Sequence, residues 1–341
     1  MLATIKLARW LGPWADAHKA PRVTCVDEQV AGTRVRYYGR PGGATFVIAP
    51  GLHYAGPDDP RMDRFCRILA AARHHVVAPF IADYLALMPG RGAIDELARV
   101  FDTVADRKPI VFSISFGSLL AFALAARRGA DIDKLVIFGG YADFHDTMRF
   151  CLTGEVASGR SATRDPLNQP VVLMNLLDHL DLGGRLHAAH AREHLIAGWR
   201  RYVERTWGRP EMKARERFVA VAEELAPEVP ERVRELFLIG IGARPGAWDL
   251  ALPALARFDA SALDPGPYLP LITNRVELVH GMDDDVIPFE QSYALASRLT
   301  AADVRVHITG LYGHTGAQRP PLTALGKELV TMVRVLRVLA G

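Results

Sequence analysis

The chain has 341 residues, half of them apolar, and carries 41 Lys and Arg against 38 Asp and Glu, a formal net charge of +3. That is enough material for an α/β core of about 200–250 residues plus an insertion, and both charge signs are spread along the chain, which argues against a nucleic-acid partner. Cys25, Cys66 and Cys151 have no CxxC spacing, so neither a disulfide framework nor a zinc site is indicated, and the expected setting is the reducing cytoplasm.

Residues 1–20, MLATIKLARWLGPWADAHKA, lack the unbroken apolar core of a secretion signal, and no stretch is long enough to span a membrane. Ala3, Leu7, Trp10 and Trp14 share one helical face. A helix docked on its own fold or on a partner is expected, with a membrane-surface helix as the alternative. TRVRYY (33–38) alternates like an edge strand, ATFVIA (44–49) reads as a buried strand, and a loop beginning Pro50-Gly51-Leu52-His53 follows. A helix is predicted over 61–73, a strand over 75–79 and a helix over 94–106.

The stretch PIVFSISFGSLLAFALAARRG (109–129) organises the rest. An apolar, β-branched run leads into an Ala- and Leu-rich helix that Gly129 stops. A sharp strand-to-helix turn needs small residues two positions either side of the turn residue. Ser113 and Gly117 satisfy that for Ser115, whereas Val111 would crowd a turn centred on Ser113. Ser115 is therefore the candidate nucleophile, with its hydroxyl lifted above the sheet.

KLVIFG (134–139) is the next strand, and then the strand–helix alternation stops. Residues 143–273 show helical patterns instead, at 171–180, 186–206, 211–225 and 231–239, too long a segment to be a loop. His187, His190 and His194 share a helical face, which reads as solvated rather than as a metal site. Residues 185–217 hold nine Arg and Lys against four Glu. Exposed helix decoration is the plain reading, and an anionic substrate or acidic partner the other. Phe150, Trp199, Trp207, Phe237 and Trp248 are expected to form helical core or to shape an acyl pocket.

The alternation resumes with strand VELVH (276–280), a helix over 289–299, a strand over 304–309 and a closing helix over 322–339. In His280-Gly281-Met282-Asp283-Asp284-Asp285-Val286-Ile287-Pro288, a carboxylate stands just past a strand end, where open α/β sheets bind ligands. Spacing from Gly281 and Pro288 favours Asp284, with Asp285 as runner-up and Asp283 turned outward. His314, in Tyr312-Gly313-His314-Thr315-Gly316, follows the last strand. Serine, aspartate and histidine thus come in that order, each past a strand end.

FVIAPGL, SISFGS, HGMDDDVIP and YGHTG together resemble the α/β-hydrolase superfamily over about residues 33–142 and 274–340. The resemblance implies an α/β fold with a doubly wound, mostly parallel sheet and a helical cap inserted after the sixth core strand. The implied organisation is a helical extension at 1–32, core at 33–142, cap at 143–273 and core at 274–341. It implies Ser115 as nucleophile, His314 as base and Asp284 as orienting acid, with the backbone N–H groups of Leu52 and Phe116 as oxyanion hole. His53 and Tyr54 would line the pocket. Pro50 stands where many members have His, and Ser113 where Gly is commonest. The implied activity is cleavage of a carboxylic ester or related small acyl compound, with no metal or cofactor. Acyl transfer, C–C bond hydrolysis and non-catalytic ligand binding on the same fold are the alternatives. The apolar terminal helices leave room for a homodimer.

Overall fold

Short apolar runs bounded by Gly, Pro and Asp become strands of one eight-stranded sheet. In the computed structural model, residues 2–11, 15–183, 190–310, 312–313, 316–317 and 325–341 are described. The strands are β1 (Cys25–Val30), β2 (Thr33–Tyr38), β3 (Thr45–Ala49), β4 (His75–Pro79), β5 (Ile110–Ile114), β6 (Lys134–Phe138), β7 (Arg275–Gly281) and β8 (Asp303–Thr309). Their spatial order is β1-β2-β4-β3-β5-β6-β7-β8. β2 runs antiparallel to both β1 and β4, and every other pairing is parallel. This is the mostly parallel, doubly wound sheet of the α/β-hydrolase fold that the resemblance implied.

The helices in chain order are α1 (Leu2–Leu11), α2 (Pro60–Ala71), α3 (Ala82–Leu85), α4 (Gly92–Asp102), α5 (Gly117–Arg128), α6 (Phe144–Thr153) and α7 (Gln169–Leu176). They continue with α8 (Ala191–Thr206), α9 (Arg215–Leu225), α10 (Glu231–Ile241), α11 (Ala247–Arg257), α12 (Glu290–Arg298) and α13 (Leu325–Leu339). Contacts divide the chain into two compact units, Met1–Asp143 with Ala262–Gly341, and Phe144–Ser261. The first holds the sheet. The second is helical and contains α6 to α11.

Alternation along the strands sorts the core into two layers. Phe46, Ile48, Val76, Ala78, Ile110, Phe112 and Val136 pack in one cluster with residues of α1, α2 and α13, including Leu7, Ile68, Leu69 and Leu336. The alternate residues Val47, Val77, Val111 and Leu135 are equally buried and belong to the other layer. Each buried Leu, Ile or Phe is worth about 1.5–3 kcal/mol. Lys134 Nζ donates to Val338 O at 2.9 Å, so a cation meets the negative end of α13.

Two boundaries differ from the sequence reading. TRVRYY is not the edge strand, because β1 pairs outside it. β1 is CVDEQV, exposed except for a half-buried Val30, so it carries no apolar alternation to reveal it. Charge guards this edge instead: the Arg36 guanidinium, 2.6 Å from Asp27, holds that carboxyl down at about 2, together with Arg34. Residues 262–273, read as part of the helical insertion, belong to the sheet unit.

In the helical unit, Phe150, Trp199 and Phe237 are fully buried. Trp199 Nε1 donates to Phe237 O at 3.1 Å, and a Cβ on Gly240 would sit 2.4 Å from the Trp199 ring. Only glycine lets α10 approach that indole. Trp248 by contrast is largely exposed.

A buried carboxylate ties β7 to the edge strand β8. Glu277 is fully buried, with His307 Nε2 at 2.6 Å and Arg275 Nε at 2.6 Å. Burial pushes this carboxyl up, but His307 and Arg275 outweigh it and leave it below its ordinary value of 4.5. A depressed carboxyl contributes stability that is present above its unfolded-state pKa and disappears as pH falls through the folded value. Glu277→Gln is expected to lose about 3 kcal/mol at pH 7, since it leaves a buried partner unpaired. Urea unfolding should also show a smaller stability loss for the variant than for wild type as pH falls below about 4.5. Equal acid sensitivity in the two proteins would sink this account.

Candidate active site

The topology creates a crevice before any side chain is considered. From β3 the chain moves to β4 on one side, and β5 returns on the other side of β3. The loops after β3 and β5 therefore diverge at the carboxyl ends of adjacent strands, the position at which doubly wound sheets bind ligands. The loop after β3 starts Pro50-Gly51-Leu52-His53, and the turn after β5 is Ser115-Phe116.

Ser115 sits between β5 and α5 with φ of 55°, a left-handed conformation that costs a non-glycine residue about 1–2 kcal/mol. Its N–H nevertheless keeps a partner, Phe138 O at 2.8 Å, and its carbonyl accepts from Ser118 N at 3.0 Å. The turn is tight because α5 starts against β3. A Cβ on Gly117 would lie 2.2 Å from Ala49 O and 2.5 Å from Pro50 O. Gly51 packs on the other side less tightly: a Cβ there would be 3.1 Å from Ile114 O and 3.4 Å from the Ser115 Cβ. The structure thus brings together Ser115, Phe116 and the loop that carries Leu52.

Ser113 is fully buried and its hydroxyl has no hydrogen-bond partner. Its small size is what the neighbourhood uses, consistent with a position that needs clearance. Tyr84, on α3, was not singled out from the sequence. Its hydroxyl donates to Phe116 O at 2.9 Å from a fully buried site, and burial pushes the phenol well above its ordinary value, so it stays a donor. The Phe116 ring lies 5.1 Å from that of Tyr141.

At the end of β7 the three aspartates separate as expected. Asp283 is exposed, Asp285 half-buried and Asp284 buried. Asp284 Oδ1 accepts from Val286 N and Ile287 N, both at 2.9 Å, so the acid is locked into its own turn. Its Oδ2 lies 3.4 Å from His280 Nε2. His280, missed in the sequence as a strand residue, is fully buried between Ser292 Oγ (2.7 Å from Nδ1) and Ile287 O (2.8 Å from Nε2). Nε2 donates to the carbonyl of Ile287, and the ring braces the turn behind Asp284.

His314 lies outside the described residues. The short antiparallel pair Tyr312–Gly313 and Gly316–Ala317 brackets its position, and the first of these segments lies against β7. His187 is likewise outside the described residues. Among the described residues no group of three His, Cys, Asp or Glu side chains is placed to hold a metal ion, and no helix is long and apolar enough to cross a membrane.

His53 is tied into its own loop. Its Nδ1 accepts from Ala55 N at 3.2 Å, so Nε2 carries the proton and faces Asp59 Oδ2 at 2.9 Å. Asp59 also caps α2, accepting from Arg61 N at 2.7 Å, and pairs with the Arg61 guanidinium at 2.7 Å. Burial raises the Asp59 carboxyl, but His53 and Arg61 overcome it and hold the group far below the usual carboxylate range. The His53 ring stacks on Tyr54 with centroids 4.5 Å apart. Asp-Asp-Pro-Arg at 58–61 was the available signal, an N-cap followed by Pro at the first helical position.

No protein-family model and no curated protein matches the chain. Among solved structures, a membrane phospholipase A described as a bacterial virulence factor aligns with 17% identity, covering 92% of this chain and 87% of its own, at a TM-score of 0.47. A serine hydrolase from Cycloclasticus zankles aligns at 14% identity, 93% and 98% coverage and TM-score 0.47. The 2-hydroxy-6-oxo-6-phenylhexa-2,4-dienoate hydrolase of Rhodococcus sp. strain RHA1 aligns at 16% identity, 92% and 100% coverage and TM-score 0.43.

The Tyr84 contact makes a stability prediction. Tyr84→Phe removes one donor from Phe116 O, which also accepts from Leu119 N at 3.3 Å, and is expected to cost about 1 kcal/mol by urea unfolding. A change within error would mean that the hydroxyl does not support the turn.

Proposed function

We propose that the chain is a serine hydrolase that cleaves a carboxylic ester or related acyl compound through an acyl-enzyme on Ser115. The observation that carries this reading is the strained φ of 55° at Ser115, held on a strand-to-helix turn with Gly51 packed against it. Strain of this kind persists in a fold where the surroundings over-determine it, and it clusters at reacting residues. The buried, doubly hydrogen-bonded Asp284 at a neighbouring strand end supports the same reading.

In this mechanism Ser115 Oγ attacks the acyl carbon while His314 takes its proton. The carbonyl oxygen gains the negative charge, and the N–H groups of Leu52 and Phe116 stabilise it, each worth about 3–4 kcal/mol in the transition state. Collapse of the tetrahedral species breaks the bond to the leaving group, which receives the proton from His314. Water then repeats the attack on the acyl-enzyme, with the proton passing again through His314, and restores Ser115. Asp284 holds the imidazole in the tautomer that accepts at the nitrogen facing Ser115. No step calls for a metal or an organic cofactor.

A fluorophosphonate probe should label Ser115, located by mass spectrometry, and Ser115→Ala should abolish labelling. His314→Ala should slow labelling by at least about 100-fold, and kcat for a chromogenic ester should fall about 10⁴-fold in either variant. Full ester turnover by Ser115→Ala would overturn the assignment.

A further inference from the structure

The helical unit has a cavity of about 410 Å³, lined among others by Arg164, Gln169, Lys213, Arg215, Phe218 and Gly242. Its three charged lining residues, Arg164, Lys213 and Arg215, are all cations. Elsewhere in this unit several surface arginines meet carboxylates: Arg192 pairs with Asp178, Arg201 with Glu228 and Arg205 with Glu224. The cavity arginines do not follow that pattern. Arg164 donates to Cys151 O and to Gln169 Oε1, both at 3.1 Å. Arg215 donates to Gly242 O at 3.0 Å. Neither meets a carboxylate at ion-pair distance among the described residues. Lys213 Nζ is 2.9 Å from Asp165 Oδ2, while the other carboxylate oxygen of Asp165 accepts from Leu167 N at 2.9 Å.

Two guanidinium groups thus border the cavity with carbonyl oxygens as their acceptors, Arg164 half-buried and Arg215 exposed. Burial pulls Arg164 below its ordinary value, although the charge of neighbouring Asp165 works the other way. The group is also held in place. Gln169 Nε2 donates to Ile239 O and Gly240 O, both at 3.3 Å, which fixes Oε1 on Arg164. Gly242, at φ of 85°, ends α10 and supplies the carbonyl for Arg215. The first turn of α9 contributes Arg215 and Phe218, and its N-cap Ala214 gives no side-chain hydrogen bond. The positive end of that helix dipole adds to the same field.

We propose that this cavity binds the phosphate group of a small phosphorylated molecule. A multiply charged anion compensates more than one of the three cations, which a monocarboxylate cannot do, and guanidinium forks match phosphate oxygens in pairs. Pro166, Phe218 and Ile241 supply apolar wall for the organic part of the ligand. The cavity belongs to the helical unit and Ser115 to the sheet unit.

The test is isothermal titration of the full-length protein with inorganic pyrophosphate at low ionic strength, with citrate as a comparison polyanion. Saturable one-to-one binding is expected, weakened at least tenfold in Arg164→Gln and in Arg215→Gln, and unchanged in Ser115→Ala. Pyrophosphate should raise the thermal midpoint of wild type and leave that of Arg215→Gln unmoved. If Arg164→Gln fails to fold, Arg215→Gln and Lys213→Gln, both at the rim, decide the matter. Absence of saturable binding, equal affinity in Arg215→Gln and Lys213→Gln, or tighter binding of citrate than of pyrophosphate would each overturn the proposal.

Discussion

The turn from β5 into α5 works only if the backbone at residue 117 passes inside the distance a side chain would need from β3. Gly117 meets that constraint, with Ala49 O at 2.2 Å from where a Cβ would be. The consequences run outward from it. Because α5 starts so close to β3, the chain must reverse within Ser115 and Phe116, and Ser115 takes the left-handed conformation. Its strain is offset by what the turn makes possible: α5 buries every residue from Gly117 to Ala125, including Leu119, Leu120, Phe122 and Leu124 at about 1.5–3 kcal/mol each. Tyr84 and Phe138 then satisfy the backbone groups that the reversal leaves exposed to an apolar interior. The serine is presented as a by-product of helix packing.

Strand β7 shows how position along one strand separates the roles of two carboxylates. Glu277 lies mid-strand, fully buried, and is answered by His307 and Arg275. It holds the edge strand β8 to its neighbour and has no route to a ligand at the sheet's carboxyl end. Asp284 lies just past that end, with one oxygen fixed by two backbone N–H groups and the other directed towards His280. Backbone donors stabilise the ionised form without neutralising it, the property that the role proposed for Asp284 calls for.

Much of this was legible in the sequence because period-2 and period-3.6 apolar patterns coincide with real elements. The strands β3 to β7 bury both faces, so ATFVIA and KLVIFG stand out as unbroken apolar runs. β1 escaped because it buries neither face, and an exposed polar strand has no hydrophobic signal to read. Ser115 and Asp284 were readable through the spacing of small residues and of Gly281 and Pro288 around them. Tyr84 and His280 were not: each acts through one contact with a residue distant in sequence or across a turn, and nothing in their own neighbourhood encodes it. Asp59 lay between these cases, visible as a helix cap but not as the anchor of His53.

Arginine in this chain illustrates why composition alone could not separate decoration from site. On the edge strand pair, Arg34 and Arg36 converge on Asp27 and close an exposed edge. On the helical surface, Arg192, Arg201 and Arg205 each pair with one carboxylate, and such exposed pairs contribute little. Counted together with these, Arg164 and Arg215 look like more of the same basic stretch. They differ in a property that no count contains, their place on the wall of a cavity. Arg164 is half-buried, so the water that compensates an exposed guanidinium is partly withdrawn from it. The excess positive charge of the chain, only +3 in all, is therefore concentrated by pairing elsewhere, and the cavity is one place where it stays available to an anion.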